Sequence, residues 1–348
     1  MRIKSKDIAS ALKLSPATVS LILNHKPGVN EETRKRVFNY IEEMERAEQR
    51  KSRLMKADNK GTILFLTYIK HGLILKQIAN QPVSRLFEDM ESLCALSGYR
   101  FSYEVFYEKT GNLEEMLTKI RERNIKGIYF MAAEMMGSDV YPFLKLNIPI
   151  VIGDNLFYEL EADSYLVDNR EGIRRGVDYL VDKGHSHIVY LAQSIDIFNF
   201  SERRKAFIEE MEVRQCGDGT NRILRLGDTV DDVYDAMNQY LDRGILKTTA
   251  FVLESSVITL GTTKALLERN MKIPREISLI GFDALPIQSI PGLNLTLIKG
   301  THTNRHLAGM KHLIRRLTDK EDEIVRVYYR TRLIEGDSVF DKKKYIYH

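Results

Sequence analysis

The chain has 348 residues, enough for two or three domains, with 43% hydrophobic and 29% charged residues, the balance of an ordinary globular protein. No run approaches the ~18 apolar residues of a membrane span, and the opening Met1-Arg-Ile-Lys-Ser-Lys-Asp7 turns amphipathic too early for a secretory leader, so a cytoplasmic protein with no membrane partner is expected. The net charge of +4 is uneven: residues 1–60 carry 14 Lys/Arg against 8 Asp/Glu and the remainder 38 against 40, which places the positive excess in a head that a phosphate backbone would attract.

Within the head, Lys6–Leu12 forms a short helical pattern with Ile8, Ala9 and Leu12 on one face, followed by a brief turn at Lys13-Leu14. Ser15-Pro16 then announces a second helix, with Ser15 as N-cap and Pro16 at the first helical position, where its missing N–H costs nothing. At about 100° per residue Val19, Ile22 and Leu23 cluster on its inner side, while Ala17, Leu21 and Asn24 face away. After the loop at His25–Val29, Asn30 caps a third helix whose Glu31 and Glu32 suit its positive end and whose Val37, Ile41 and Met44 form an apolar stripe. Two short helices, a tight turn and a bracing helix make a helix-turn-helix pattern, with the alternative of a three-helix bundle that has no DNA role.

The run Asp7-Ile-Ala…Leu14-Ser-Pro-Ala-Thr-Val-Ser-Leu-Ile-Leu-Asn24…Gly28-Val-Asn-Glu-Glu-Thr-Arg34-Lys-Arg-Val37 resembles the head of the lactose/galactose repressor family of transcriptional regulators. The resemblance covers most of residues 3–44. It implies that Ser15, Thr18, Ser20, Asn24, Thr33 and Arg34 contact the DNA backbone, and that Pro16, Ala17 and Leu21 occupy the base-reading positions. The family usually has Arg at the place of Leu21; leucine offers only an apolar contact to a thymine methyl, so an unusual operator is expected. The family also joins head to body by a hinge helix that wedges a leucine into the minor groove. Here the corresponding stretch, Arg46–Met55, lacks that hinge's Tyr and Pro, and the wedge falls on Leu54 or Met55. A charged flexible linker over 46–60 is the alternative. The expected domains are therefore a head at 1–45, a hinge at 46–60 and a body at 61–348.

In the body, strand-like runs at Thr62–Ile69, Arg100–Phe106, Gly127–Met131, Pro149–Gly153, His187–Ala192, Ile223–Leu226, Thr249–Leu253, Ile277–Phe282 and Leu293–Ile298 alternate with helical patterns. The helical patterns cover Ser84–Ser97, Leu113–Asn124, Arg170–Lys183, Ser201–Val213, Val230–Arg243, Ser256–Arg269 and Thr303–Leu317. Such alternation argues for parallel sheets with right-handed crossovers, and about 290 residues exceed one sheet, so two doubly wound α/β lobes with a cleft between them are expected. The stretches Asn147–Ile152 with Val167–Gly172, Leu180–Ile188 and Ile273–Asp283 resemble the same family and imply a type I periplasmic-binding-protein-like body. Chain crossings between lobes are placed near Ser164, Ile290 and Val325.

By the same resemblance Arg203 reaches an effector, Asp283 accepts its hydroxyls and Glu254 stands where the family has a ligand-touching Asn, adding a charge. Asp154 follows a strand end facing the cleft, Gln81 enters the helix that carries aromatic ligand contacts in the family, and Phe157, Tyr158, Phe198 and Phe200 lie on cleft loops where a sugar face would stack. For each aromatic the alternative is ordinary packing, and for Arg203 with Asp283 it is a structural ion pair.

Enzyme chemistry has no support: GxGxxG, GxxxxGK[ST], GxSxG, HExxH and CxxC motifs are absent, the eight histidines are scattered and Cys94 and Cys216 are unpaired in sequence. No metal and no cofactor are expected. The reading is a homodimeric regulator, most often a repressor in this family, on a palindromic double-stranded DNA operator, controlled by a sugar-like small molecule. A protein co-regulator in place of that molecule, or a sugar-binding protein without a DNA role, are the alternatives. The tail Asp341–His348 has no leucine heptads, so a dimer is expected rather than a tail-zipped tetramer.

Overall fold

Local signals set the head. In the computed structural model, which describes residues 5–56, 60–75, 85–244, 247–283, 292–300, 302–319 and 323–345, the first three helices are α1 (Ser5–Leu12), α2 (Pro16–Leu23) and α3 (Glu31–Lys56). Ser15 caps α2 through a 3.0 Å bond from the Thr18 N–H, with Pro16 at the first helical position, and the Asn30 side chain accepts from Thr33 N–H at 2.7 Å to start α3. Ile8, Ala9, Val19, Ile22 and Val37 are buried together as the head's core. The turn between α1 and α2 relies on Lys13 in the left-handed region, at φ 53°. α3 does not end near residue 45: it is a continuous 26-residue helix through the stretch expected to form a separate hinge. The chain divides into two compact units, Met1–Thr62 with Phe87–Phe101, and the remainder.

After the head the chain forms two six-stranded sheets, which make up most of the second unit. Sheet one contains β1 (Thr62–Ile69), β2 (Arg100–Tyr107), β3 (Ile125–Met131), β4 (Ile150–Gly153), β5 (Asp163–Val167) and β11 (Arg326–Tyr329), in the order β11-β5-β4-β3-β1-β2. Sheet two contains β6 (Ile188–Ala192), β7 (Ile223–Arg225), β8 (Ala250–Leu253), β9 (Ser278–Phe282), β10 (Thr296–Lys299) and β12 (Arg332–Ile334), in the order β12-β10-β9-β8-β6-β7. β3, β4, β5 and β11 pair in parallel, as do β7, β6, β8, β9 and β10, and β12 closes the second sheet antiparallel to β10. The intervening helices are α4 (Arg85–Leu96), α5 (Leu113–Glu122), α6 (Gly137–Leu144), α7 (Asn169–Asp182), α8 (Phe198–Val213), α9 (Val230–Asp242), α10 (Ser256–Glu268) and α11 (His302–Thr318).

Side-chain alternation divides the second lobe's core. Along β8, Ala250 and Val252 pack in one apolar layer, while Phe251 and Leu253 pack in the other. Both faces are covered, which is why these strands read as continuous apolar runs. On the α7 side the helix lies so close to the sheet that a Cβ at Gly176 would meet Ile298 Cδ1 at 2.7 Å, and one at Gly172 would meet Phe282 at 2.8 Å. Both cysteines are buried and free, Cys94 on α4 and Cys216 after α8. Burial raises the Cys94 thiol to about 12 and also pushes Cys216 upward.

The chain passes between lobes three times, but each passage lies beyond the expected point where that point is described. Ser164 sits inside β5, and the first passage follows Val167. The second follows Lys299 and leads into α11, which packs on β3, β4 and β5; the expected Ile290 lies outside the described residues. Val325 precedes β11, and the third passage is Arg330-Thr331. The displaced expectations have one cause: Ser164 and Val325 are hydrogen-bonded neighbours, Ser164 N–H to the Val325 carbonyl at 2.9 Å, where two strands are still pairing.

The C-terminal segment is strapped over the second lobe through His185, which is 3% exposed. Its Nδ1 meets Thr249 Oγ1 at 2.9 Å and its Nε2 meets the Phe340 carbonyl at 3.0 Å. Burial, opposed by the bond to Phe340, lowers its pKa, so the folded protein holds this ring neutral. The associated stability is complete above the ordinary histidine value of about 6.5 and is lost as pH falls below it. Thermal melts at pH 7.5, 6.5 and 5.5 should show the melting temperature falling with pH, with a shallower fall in His185→Gln; equal slopes would remove His185 from the account.

Candidate DNA-reading face and interlobe cleft

α2 buries Val19 and Ile22 completely and leaves Pro16, Ala17, Ser20, Leu21 and Asn24 exposed, with Leu21 at 37%. The exposed and buried faces are those expected from its 3.6-residue period. Ser15 is exposed as the cap, and its hydroxyl lies 2.8 Å from that of half-buried Thr18. Asn24 donates back to the Ser20 carbonyl at 2.9 Å, closing the helix end. Thr33 is half-buried in the first turn of α3. Arg34 Nη2 donates to the Lys26 carbonyl at 3.0 Å, so part of its guanidinium braces the loop between α2 and α3. Leu54 and Met55 belong to the backbone of α3, and their side chains lie outside the described residues.

In the cleft, Asp154 and Asp283 each follow directly on a strand end, β4 and β9, and both adopt positive φ, 64° and 71°. That geometry is uncommon for a side-chain-bearing residue and is concentrated at binding sites. The Asp154 carboxylate is held in the first lobe by Arg305 at 2.5 Å and by His306 Nε2 at 3.4 Å, while His306 Nδ1 meets the buried Tyr129 hydroxyl at 2.8 Å. The Asp154 backbone carbonyl accepts from Asn199 Nδ2 of the second lobe at 2.9 Å. Asn199 Oδ1 in turn accepts from Asn169 at 2.7 Å, and Asn169 Oδ1 accepts from Arg203 Nε at 2.8 Å. Arg203 completes the chain, donating to the Glu254 carbonyl at 2.6 Å and to Asp283 Oδ2 at 3.1 Å, with its guanidinium 3.5 Å from the centre of the Phe282 ring. The structure thus brings Asp154, Arg203 and Asp283 into one polar chain that crosses from lobe to lobe. Of the two residues that connect them, Asn169 stands within the quoted stretch Val167–Gly172 but is given no ligand role there, and Asn199 carries no signal in the sequence.

Two expected effector residues, Glu254 and Phe157, stand elsewhere. The Glu254 side chain is fully buried and turned away from this chain, so it does not offer the cleft a charge. Its oxygens accept from Arg204 at 2.7 and 2.9 Å, from the Gln193 N–H at 2.7 Å and from the Tyr190 hydroxyl at 3.2 Å. Burial pushes the Glu254 carboxyl up and Arg204 opposes that shift. The local reason is the doubling of arginine: Arg203 points to the cleft, and Arg204, one residue on, needs its own counterion. Phe157 is a member of the first lobe's apolar core. Gln81 lies outside the described residues. Of the other aromatics, Phe200 packs 5.6 Å from Arg203, whereas Tyr158 and Phe198 line an open cavity of ≈ 520 Å³ at the lobe junction together with Asn169, Glu202 and Tyr328. Among the described residues no group of three His, Cys, Asp or Glu side chains is arranged to hold a metal ion, and no helix is long and apolar enough to cross a membrane.

Comparison with known proteins matches residues 5–45 to the model of bacterial regulatory proteins of the lacI family, and residues 177–339 to a periplasmic binding protein-like domain. The chain belongs to the LacI family of transcriptional regulators. It is 25% identical over 324 residues, 91% of this chain and 93% of its relative, to the HTH-type transcriptional repressor PurR of Vibrio atlanticus. It is 24% identical to the HTH-type transcriptional regulator RegA of Clostridium saccharobutylicum, over 96% of this chain and 98% of that one. The fold matches that of the transcriptional regulator CelR–cellobiose complex with a TM-score of 0.68 at 18% identity, covering 97% of this chain and all of that one. It also matches a LacI family regulator from Enterococcus faecium with bound ribose, with a TM-score of 0.66 at 17% identity over 80% and 99% of the two chains.

Within this LacI-family body, the Arg204–Glu254 pair gives a direct test of what the second arginine does. Arg204→Met leaves a buried carboxylate without its counterion and should cost about 3–5 kcal/mol in urea unfolding, part of which the double change Arg204→Met with Glu254→Leu should restore.

Proposed function

We propose that this protein is a repressor that binds a palindromic DNA operator as a homodimer in the bacterial cytoplasm, and that a small polar effector of sugar type, bound between its lobes, controls that binding. The observation that carries the reading is α2, whose LacI-matched scaffold is capped and cored while Pro16, Ala17 and Leu21 are left exposed on its outer face. Ser15, Thr18, Ser20, Asn24, Thr33 and Arg34 would grip phosphates around it, and the basic excess of residues 1–60 would supply attraction without sequence preference. With Leu21 in the groove, discrimination comes from thymine methyls and backbone fit rather than from hydrogen bonds to guanine. Leu54 or Met55 would serve as the wedge only if the end of α3 reaches the minor groove.

For the effector, the support is the polar chain of Asp154, Asn199, Asn169, Arg203 and Asp283, and the sugars named with several solved relatives, cellobiose and ribose among them. A polyhydroxylated ligand offers the donors and acceptors that these groups now give one another. It would bind by replacing inter-residue bonds with its own and so favour one arrangement of the lobes.

Selection of bound DNA from a random pool, with and without a panel of sugars, tests both halves. Removing residues 1–58 should abolish operator binding and leave any effector-induced rise in melting temperature intact. Leu21→Arg should shift operator preference toward guanine at one position per half-site by about 1–3 kcal/mol; an unchanged preference would mean that Leu21 does not face the bases.

A further inference from the structure

The third passage between lobes carries an unusual accumulation of arginines. A cavity of ≈ 560 Å³ opens there, lined by Arg175 of α7, Asn304 in the first turn of α11, Arg330 and Thr331 of the passage itself and Arg332 of β12. From Ile324 to Ile334 the chain has three arginines and no acidic residue, and every second residue, Arg326, Tyr328, Arg330 and Arg332 among them, is exposed.

One carboxylate answers two of the three cavity arginines. Glu171 Oε1 accepts from Arg175 Nη2 and Nε at 2.8 and 3.1 Å, and from Arg330 Nη2 and Nε at 2.8 and 3.0 Å. The guanidinium of Arg330 beside Glu171, followed by that of Arg175, holds this carboxyl down at about 2. The Nη1 groups of both arginines, and the whole guanidinium of Arg332, have no partner among the described residues. Three guanidiniums against Glu171, with Asp168 also acting on Arg330, leave an excess of positive charge around a space that a small molecule would fill. Thr331, 2% exposed, lines the same cavity between Arg330 and Arg332. The first turn of α11 adds the partial positive charge of a helix start.

We propose that this cavity is a second ligand site, distinct from the interlobe cleft, that binds a phosphate-type oxyanion. Planar guanidiniums with paired donors match the oxygens of phosphate, and the excess positive charge suits an anion. The space admits either free phosphate or the phosphate end of a small organic phosphate. Its walls come from both sides of the passage, Tyr329 of β11 in the first sheet and Arg332 of β12 in the second, so the bound anion would tie the two lobes together at their pivot.

The test uses the full chain and isothermal titration with inorganic phosphate and with glycerol 2-phosphate, at ionic strength held constant with chloride. Saturable phosphate binding is expected, weakened about tenfold or more in Arg332→Gln, which removes a guanidinium with no structural partner, and unchanged in Arg243→Gln, an exposed arginine elsewhere. Tighter binding of the glycerol ester would assign the site to an organic phosphate, and equal or weaker binding to the free ion. No saturable binding below roughly 10 mM, or equal loss in Arg332→Gln and Arg243→Gln, would overturn the site. The result is independent of operator binding and of the sugar panel.

Discussion

Two neighbouring guanidiniums on one turn of α8 have to leave water together, and the second lobe is arranged around how that is achieved. Arg203 and Arg204 project from adjacent positions, so they diverge by about 100° and need separate sets of acceptors. Arg204 takes a full complement from buried Glu254, the Gln193 and Ile195 carbonyls and the Asp196 carboxylate. Arg203 takes Asn169, the Glu254 carbonyl and Asp283. A cation costs so much to bury alone that each acceptor is fixed in turn, which pins the ends of β8 and β9 and the start of α7 to a single helix. What faces the cleft is therefore a set of groups already held in place.

Much of this architecture was legible because the strands are apolar and the intervening helices amphipathic. The expected helix over Arg170–Lys183 and the strands ending at Met131, Gly153, Ala192, Leu253 and Phe282 all match the observed elements closely. The missed elements break the pattern for physical reasons. β5 is wholly buried yet begins Asp163-Ser164, because Asp163 is answered by the Val325 N–H and by His312 and Arg316. α6 is only eight residues long and contains Pro142. β11 and β12 are four- and three-residue edge strands rich in arginine, and edge strands need only one covered face.

The site was legible unevenly for a related reason. Asp154 is legible from its place after a strand end, Asp283 from the resemblance of Gly281-Phe-Asp283, and the cap at Ser15 from geometry that is local. Glu254 misled because a charge at a strand end looks the same in sequence whether it faces a ligand or a neighbouring arginine; only the partner decides, and Arg204 is fifty residues away. Phe157 misled in the same way, since an aromatic after a strand serves a core as readily as a cleft. The head is the reverse case. Its scaffold is fixed by caps and a five-residue core, while its outward face is poor in hydrogen-bonding groups and continues into a helix that is longer than the pattern implied.

The two cysteines fall one in each compact unit, Cys94 within Phe87–Phe101 and Cys216 in the other. Only a thiolate attacks an alkylating reagent, and burial holds both thiols protonated and covered. Each becomes reactive when its own surroundings open. The chain thus carries two internal clocks: the rates at which Cys94 and Cys216 are alkylated report separately how often each unit breathes, and a bound ligand that stabilises only one of them will slow only one clock.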